Sequence, residues 1–244
     1  MKPLVIFKVG DTFPELAQRA GDFEHWVEQG LGQTGLPVVI VDPRTQTPLP
    51  EWHTVAGAIV TGSHAMVTDR ADWSERLAAW LREAVAQQVP LLGICYGHQL
   101  LAHALGGQVD YHPDGIEIGS VKVCTATAAA NDPLFHDLPA SFMAHVVHRQ
   151  SVRTLPTEAV VLAHNGFEAH HAFRVGETAW GVQFHPEFDH EAMRHYLQKL
   201  SPDLEKNGTD LATLESQLAY TSAAAGILDR FGRFAKKRSH ESVA

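Results

Sequence analysis

The chain is poor in cysteine, poor in net positive charge and without long apolar runs, and each shortage removes a class of protein. Only Cys95 and Cys124 are present among 244 residues. That is too few for a disulfide framework, so a reducing, cytoplasmic setting is expected. Lys and Arg number 19 against 28 Asp and Glu, a formal charge of −9. An anionic excess of this kind argues against nucleic acid or an anionic membrane surface as partner. No stretch approaches the roughly eighteen apolar residues of a membrane-spanning helix. The opening MKPLVIFKVGD returns to charge too soon for the core of a secretory signal. A hydrophobic fraction of 45% and a charged fraction of 19% are those of a globular protein.

Histidine is abundant, at sixteen residues, and raises the question of a metal. His145 and His148, His170 and His171, and His190 and His195 are near neighbours, yet none forms HExxH or a Cys/His finger spacing. The expectation is therefore dispersed surface and pocket histidines, no metal and no organic cofactor. A P-loop GxxxxGK[ST] is also missing, so this sequence has no motif of its own for activating a carboxylate with ATP.

Apolar and amphipathic segments alternate along the first half. Residues 3–9, 37–41, 56–61 and 90–94 read as short strands, and 14–31 as one or two helices. Between 73 and 88, Trp73, Leu77, Trp80, Leu81, Ala84 and Val85 follow the three-to-four spacing of one helical face. Residues 98–105 read as a helix stopped by Gly106 and Gly107. Strand-like runs then dominate, at 118–124, 142–147, 159–163 and 180–184. From Asp189 onward the chain reads helical, with Leu211, Leu214, Leu218, Thr221, Ala225 and Leu228 on one stripe and a solvated basic end at 236–238. The pattern predicts one α/β domain over 1–244: a mainly parallel sheet with helices on both faces, extra antiparallel strands, a core of about 1–190 and a helical extension over 189–238.

The chemically informative segment is Gly93-Ile94-Cys95-Tyr96-Gly97. A G-x-nucleophile-x-G sequence between an apolar strand and a helix is a nucleophile elbow, in which a strained turn presents the reactive atom at the sheet's edge. Flanking glycines relieve crowding around the turn, and the following helix points its free N–H groups at the sulfur, favouring thiolate. Downstream lies Gly181-Val182-Gln183-Phe184-His185-Pro186-Glu187. Strand alternation would put His185 and Glu187 on one side, with Pro186 stiffening the turn. Such a histidine can relay the thiol proton, and a carboxylate behind it fixes the tautomer. Cys124 sits in a strand-like run and reads as structural.

These segments resemble the class I, or triad, glutamine amidotransferases, especially stand-alone members similar to the amidotransferase domain of GMP synthase. The resemblance rests on GICYGHQLLAHALGG at 93–107, GVQFHPEF at 181–188, TGS at 61–63 and AHNGFEAHHAF at 163–173, and extends more loosely over about 1–190. It implies a flavodoxin-like three-layer sandwich with Cys95 as nucleophile and His185 and Glu187 completing the triad. It further implies an oxyanion hole from Gly62, with Ser63, and the Tyr96 N–H. Substrate contacts are implied at Gln99 and in a loop over His148, Arg149, Gln150, Ser151 and Val152. Gln150 stands where an acid is frequent, a departure that bears on recognition of a free α-amino group.

The reaction so implied releases ammonia from glutamine through a Cys95 thioester, for a separate synthetase chain or simply for water. A γ-glutamyl peptidase would use the same thioester with a larger leaving group. Outside catalysis, the scaffold could serve as a binding or regulatory protein, or Cys95 as a redox sensor; a sensor has no need of the His185 and Glu187 pair.

Overall fold

In a computed structural model, which describes residues 1–206, 208 and 210–241, the first half builds a parallel sheet by βα alternation. Its elements are β1 (Leu4–Phe7), α1 (Pro14–Ala20), α2 (Phe23–Gly30), β2 (Val38–Val41), β3 (Gly57–Val60), α3 (Asp72–Ala86), β4 (Leu91–Ile94) and α4 (Tyr96–Ala104). Strands dominate next: β5 (Gln108–Tyr111), β6 (Glu117–Thr125), β7 (Ser141–His148), β8 (Gln150–Thr154), β9 (Ala159–His164), β10 (Ala172–Val175) and β11 (Ala179–Val182). Helices α5 (His190–Lys206), α6 (Leu211–Ser216) and α7 (Ser222–Glu241) close the chain.

The main sheet has nine strands in the order β2-β1-β3-β4-β11-β10-β9-β6-β7. Strands β2, β1, β3, β4 and β11 run parallel, and β10, β9, β6 and β7 continue antiparallel. The central strands are buried on both faces, which is why LVIF, GAIV and LLGI are continuous apolar runs. Leu4, Ile6, Ile59 and Leu92 pack under Val27 of α2 and Ile227, Leu228 and Phe231 of α7. Val5, Phe7, Ala58 and Leu91 point the other way, beneath Leu77 and Leu81 of α3 and Leu100 of α4. This is the flavodoxin-like sandwich expected from the sequence, and α7 forms part of its core.

Three local readings need correction. The strands β5, β8 and β10 are not among those read from the sequence; β5 and β8 pair only with each other. Residues 148–152 are therefore not a loop throughout, because Gln150 begins β8 and pairs with Tyr111 of β5. The single apolar stripe over 211–228 is two helices broken at 217–221, where the Gln217 N–H closes the first by bonding to Thr213 O at 3.1 Å. The basic end at 236–238 is the last part of α7, which runs to Glu241, and Lys236 and Lys237 are exposed as expected.

Candidate active site

The site lies at the carboxyl ends of β3, β4 and β11, where open α/β sheets place ligands. Cys95 joins β4 to α4 with φ 49° and ψ −98°, a backbone conformation costly for a residue with a β-carbon. The turn persists because its neighbours leave no alternative. A β-carbon on Gly93 would lie 2.3 Å from Gly97 O, and one on Gly97 would lie 2.4 Å from Val60 O. The Cys95 N–H donates to Val182 O at 2.8 Å, tying the elbow to β11. The residue is only 6% exposed, and Sγ lies 3.8 Å from Val147 O.

His185 and Glu187 are brought beside it, though not by strand alternation. Strand β11 ends at Val182; the Gln183 N–H still follows the register of β10, donating to His171 O at 2.8 Å, and the chain leaves the strand after it. Residues 183–188 form bends and a turn, and the His185 N–H is caught by His145 O of β7 at 2.8 Å. Within that turn, His185 Nδ1–H donates to Glu187 Oε1 at 2.8 Å. Nε2 has no hydrogen-bond partner, while the ring interacts electrostatically with Cys95. Burial would lower the His185 pKa, but the Glu187 carboxylate and the Cys95 sulfur more than offset it and raise it to about 10. Phe188 stacks on the imidazole at 4.1 Å between centroids, fixing its plane.

The segment after β3 faces this pair. A β-carbon at Gly62 would stand 2.9 Å from His185 Cε1 and 3.8 Å from Cys95 Cβ, so the backbone must be bare there. The Tyr96 N–H belongs to the first turn of α4, where no intrahelical acceptor exists. Its phenol is held away by Ser74 Oγ at 2.6 Å. Gly62 and the first turn of α4 thus flank Cys95.

A cavity of about 230 Å³ opens over the sulfur. Ser63, Cys95, Tyr96, Gln99 and His185 line it, together with His148, Arg149 and Gln150. Gln99 Nε2 donates to Gln150 O at 2.8 Å and to Gln183 Oε1 at 3.0 Å, so α4 braces the start of β8. Gln150 Nε2 donates to Thr68 Oγ1 at 2.6 Å, whereas its buried Oε1 has no partner. Arg149 reaches Asp203 of α5 at 3.3 Å. Gly62, Ser151 and Glu187 do not form the wall: Glu187 is behind His185, and Ser151 is wholly buried with its hydroxyl unpaired.

His148 lines the cavity with both nitrogens already engaged. Nδ1 meets Gln150 O at 3.0 Å, and Nε2 meets Glu117 Oε2 at 2.9 Å. Glu117 is also 3.3 Å from His171 Nε2 and accepts from Asn165 Nδ2 at 2.7 Å. Burial alone would raise its pKa, but the bonds from His148 and His171 hold it well below the usual carboxylate range. Sequence reading missed Glu117 and also the apolar wall of Phe13, Phe23, Met66, Ile116, Tyr196 and Leu200. No local motif marks them, because they converge from distant elements. Among the described residues no group of three or more His, Cys, Asp or Glu gathers as a metal site, and no helix is long and apolar enough to cross a membrane.

The fold and site define a class: flavodoxin-like α/β proteins with a cysteine elbow at a parallel strand's end and a His–Glu pair one strand away. The chain belongs to the class-I glutamine amidotransferase family, whose sequence model matches residues 19–201. It is 30% identical over 188 residues to the glutamine-hydrolyzing GMP synthase subunit of Methanopyrus kandleri, covering 77% of this chain and 91% of that protein. The Methanocaldococcus jannaschii protein of the same name is 32% identical over 179 residues, covering 72% and 88%. In fold, it is similar to a glutamine amidotransferase of Thermotoga maritima, with a TM-score of 0.71 at 20% identity over 97% of this chain and 99% of the other. The structure of a GMP synthase subunit homologue from Thermoplasma acidophilum gives 0.69 at 16% identity over the whole of both chains.

Proposed function

We propose that this chain hydrolyses the side-chain amide of glutamine through a Cys95 thioester. The observation that carries the reading is the Cys95 elbow beside an imidazole whose Nδ1 is fixed by Glu187 at 2.8 Å and whose Nε2 is unbonded. The sulfur attacks the γ-carboxamide carbon, and the Gly62, Ser63 and Tyr96 amides receive the oxyanion. His185 gives its proton to the amide nitrogen, the C–N bond breaks and ammonia leaves. The neutral His185 then takes a proton from water, whose oxygen displaces the sulfur to give glutamate. Glu187 holds the imidazole's tautomer and orientation throughout. Gln99 and the buried Glu117–His148 bond shape the corner for the amino-acid head, where Gln150 Oε1 accepts from the α-ammonium and Arg149 meets the α-carboxylate.

The relatives' name, one subunit of a glutamine-hydrolyzing synthase, supports a further expectation that ammonia passes to a separate synthetase chain. A second reading, hydrolysis of γ-glutamyl amides with larger leaving groups, is favoured by the apolar wall and by Gln150. The primary test is Cys95→Ala. It is expected to abolish ammonia release and covalent labelling by an electrophilic glutamine analogue; retained hydrolysis would defeat the assignment. Comparing ammonia release from glutamine with amine release from γ-glutamyl dipeptides separates the two substrates.

A further inference from the structure

The segment proposed to hold the oxyanion has no helix or ladder of its own: residues 61–64 lie beyond the end of β3. Its first residue is secured to the sheet, since the Thr61 N–H donates to Phe7 O at 3.1 Å and Thr61 Oγ1 accepts from the Val9 N–H at 3.2 Å. Gly10 presses on the next part, where a β-carbon would lie 2.6 Å from Ser63 Cα. The far end is tethered from a different region of the chain. His64 Nε2 is 3.0 Å from the hydroxyl of Tyr196 on α5.

Tyr196 is 2% exposed, and its hydroxyl also lies 2.9 Å from Thr12 Oγ1. Although His64 as a residue is exposed, partial burial of its ring at the Tyr196 end, reinforced by the charge of His185, holds its pKa below the ordinary value, so the ring is neutral near pH 7. A neutral imidazole can accept at Nε2. The phenol then has one proton to give and one lone-pair contact to receive, and both are used. Its ring packs on Phe13 at 4.9 Å and on Phe188 at 5.0 Å, and Phe188 in turn stacks on His185. Phenylalanine would supply those ring contacts equally well. What tyrosine adds is the hydroxyl, which at this depth is costly to bury without partners.

We propose that Tyr196 is a positioning residue of the hydrolytic site: it donates to His64 Nε2, accepts from Thr12 Oγ1, and so fixes the Gly62–Ser63 amides from helix α5. Oxyanion donors act through prior placement, and small displacements of a reacting geometry cost up to about a hundredfold in rate. The inference rests on the Cys95 thioester chemistry proposed above.

The test is a double-mutant cycle on glutamine hydrolysis with Tyr196→Phe and His64→Ala. Each single change is expected to lower kcat about tenfold with KM within about twofold of wild type, since the interaction lost is one made in the transition state. The double variant should be no slower than the slower single, because both remove the same link. Wild-type kcat in Tyr196→Phe, or losses that multiply in the double variant, would overturn the proposal. Should Tyr196→Phe fail to fold, as judged by near-ultraviolet circular dichroism, His64→Ala at the more open end of the link decides alone: unchanged kcat there also overturns it. Cys95→Ala run alongside distinguishes the failures. An active Cys95→Ala removes the underlying chemistry, whereas an inactive Cys95→Ala with a normal Tyr196→Phe removes only the role of Tyr196.

Discussion

Two buried histidine–glutamate pairs each send a histidine to the cavity wall, and they are built in opposite ways. His185 and Glu187 are two positions apart and meet inside one turn, whereas Glu117 draws His148 from β7 and His171 from the segment before β10. His185 spends one nitrogen on its carboxylate and leaves the other unbonded; His148 uses both. The difference separates a group able to move a proton from a group able only to hold shape. Burial is similar at both sites; what separates them is that the unspent nitrogen of His185 belongs to a ring that interacts with the Cys95 sulfur.

The largest expected effect comes from breaking the first pair. Glu187→Gln keeps the shape but removes the charge that holds the His185 pKa near 10. We expect kcat to fall by roughly 10³ to 10⁴, the scale of a lost triad carboxylate. The His185 pKa, followed by NMR, should drop, since burial then dominates. In the native protein this raised pKa contributes stability that is full below about pH 6.5 and lost as pH rises through about 10. A Glu187→Gln protein with wild-type kcat would erase the distinction between the pairs.

Gly97→Ala probes the elbow on the same side. Its β-carbon would meet the Val60 carbonyl at 2.4 Å, and backbone cannot rotate away as a side chain can. We expect a loss of about 3 kcal/mol in urea unfolding, the upper range for overpacking, together with loss of labelling at Cys95. Normal stability with normal labelling would mean that the elbow tolerates a shift of α4.

The second pair should answer differently. Glu117→Gln leaves His148, His171 and Asn165 without a shared anion, and we expect a destabilisation on the order of 3 kcal/mol. Because Glu117 touches the cavity only through His148, KM for glutamine should rise more than kcat falls. The pH signature is also reversed. Its depressed pKa contributes stability present above about pH 4.5 and lost as pH falls further, so the variant should lose part of the native protein's acid sensitivity. A fall in kcat with unchanged KM would make the two pairs alike.

Legibility in the sequence follows the same division. Gly93, Cys95 and Gly97 are readable because a tight turn imposes its demands within five residues, and the continuous apolar β3 and β4 declare a doubly covered sheet. His185 and Glu187 are readable as partners, yet for a reason the structure revises: β11 stops at Val182, and a turn held by His145 O makes the pairing. Glu117 has no such local signature. Its partners lie 31 and 54 positions onward, and only the pairing of β6 with β7 brings the first of them across from it. Strands β5 and β8 escape the reading because QVDY alternates over only four residues, the shortest span that signals a strand, and QSVRT holds a single apolar residue. The helical end reads correctly as packed, but its break at 217–221 is set by capping within α6 rather than by any flaw in the stripe.

The smallest expected effect sharpens the comparison at its edge, at Gln150. Its Nε2 is committed to Thr68, while Oε1 is buried and unpaired beside the cavity. Gln150→Glu keeps Oε1 and puts a second acceptor oxygen where Nε2 stands, which the Thr68 hydroxyl can satisfy by turning to donate. A carboxylate there would attract an α-ammonium more strongly, but its own desolvation offsets part of the gain. We expect KM for free glutamine to fall only about threefold to tenfold, with kcat unchanged and no effect on N-acylated glutamine. Equal responses of the free and acylated substrates would show that Gln150 does not face the amino group, and would move head recognition elsewhere on the wall.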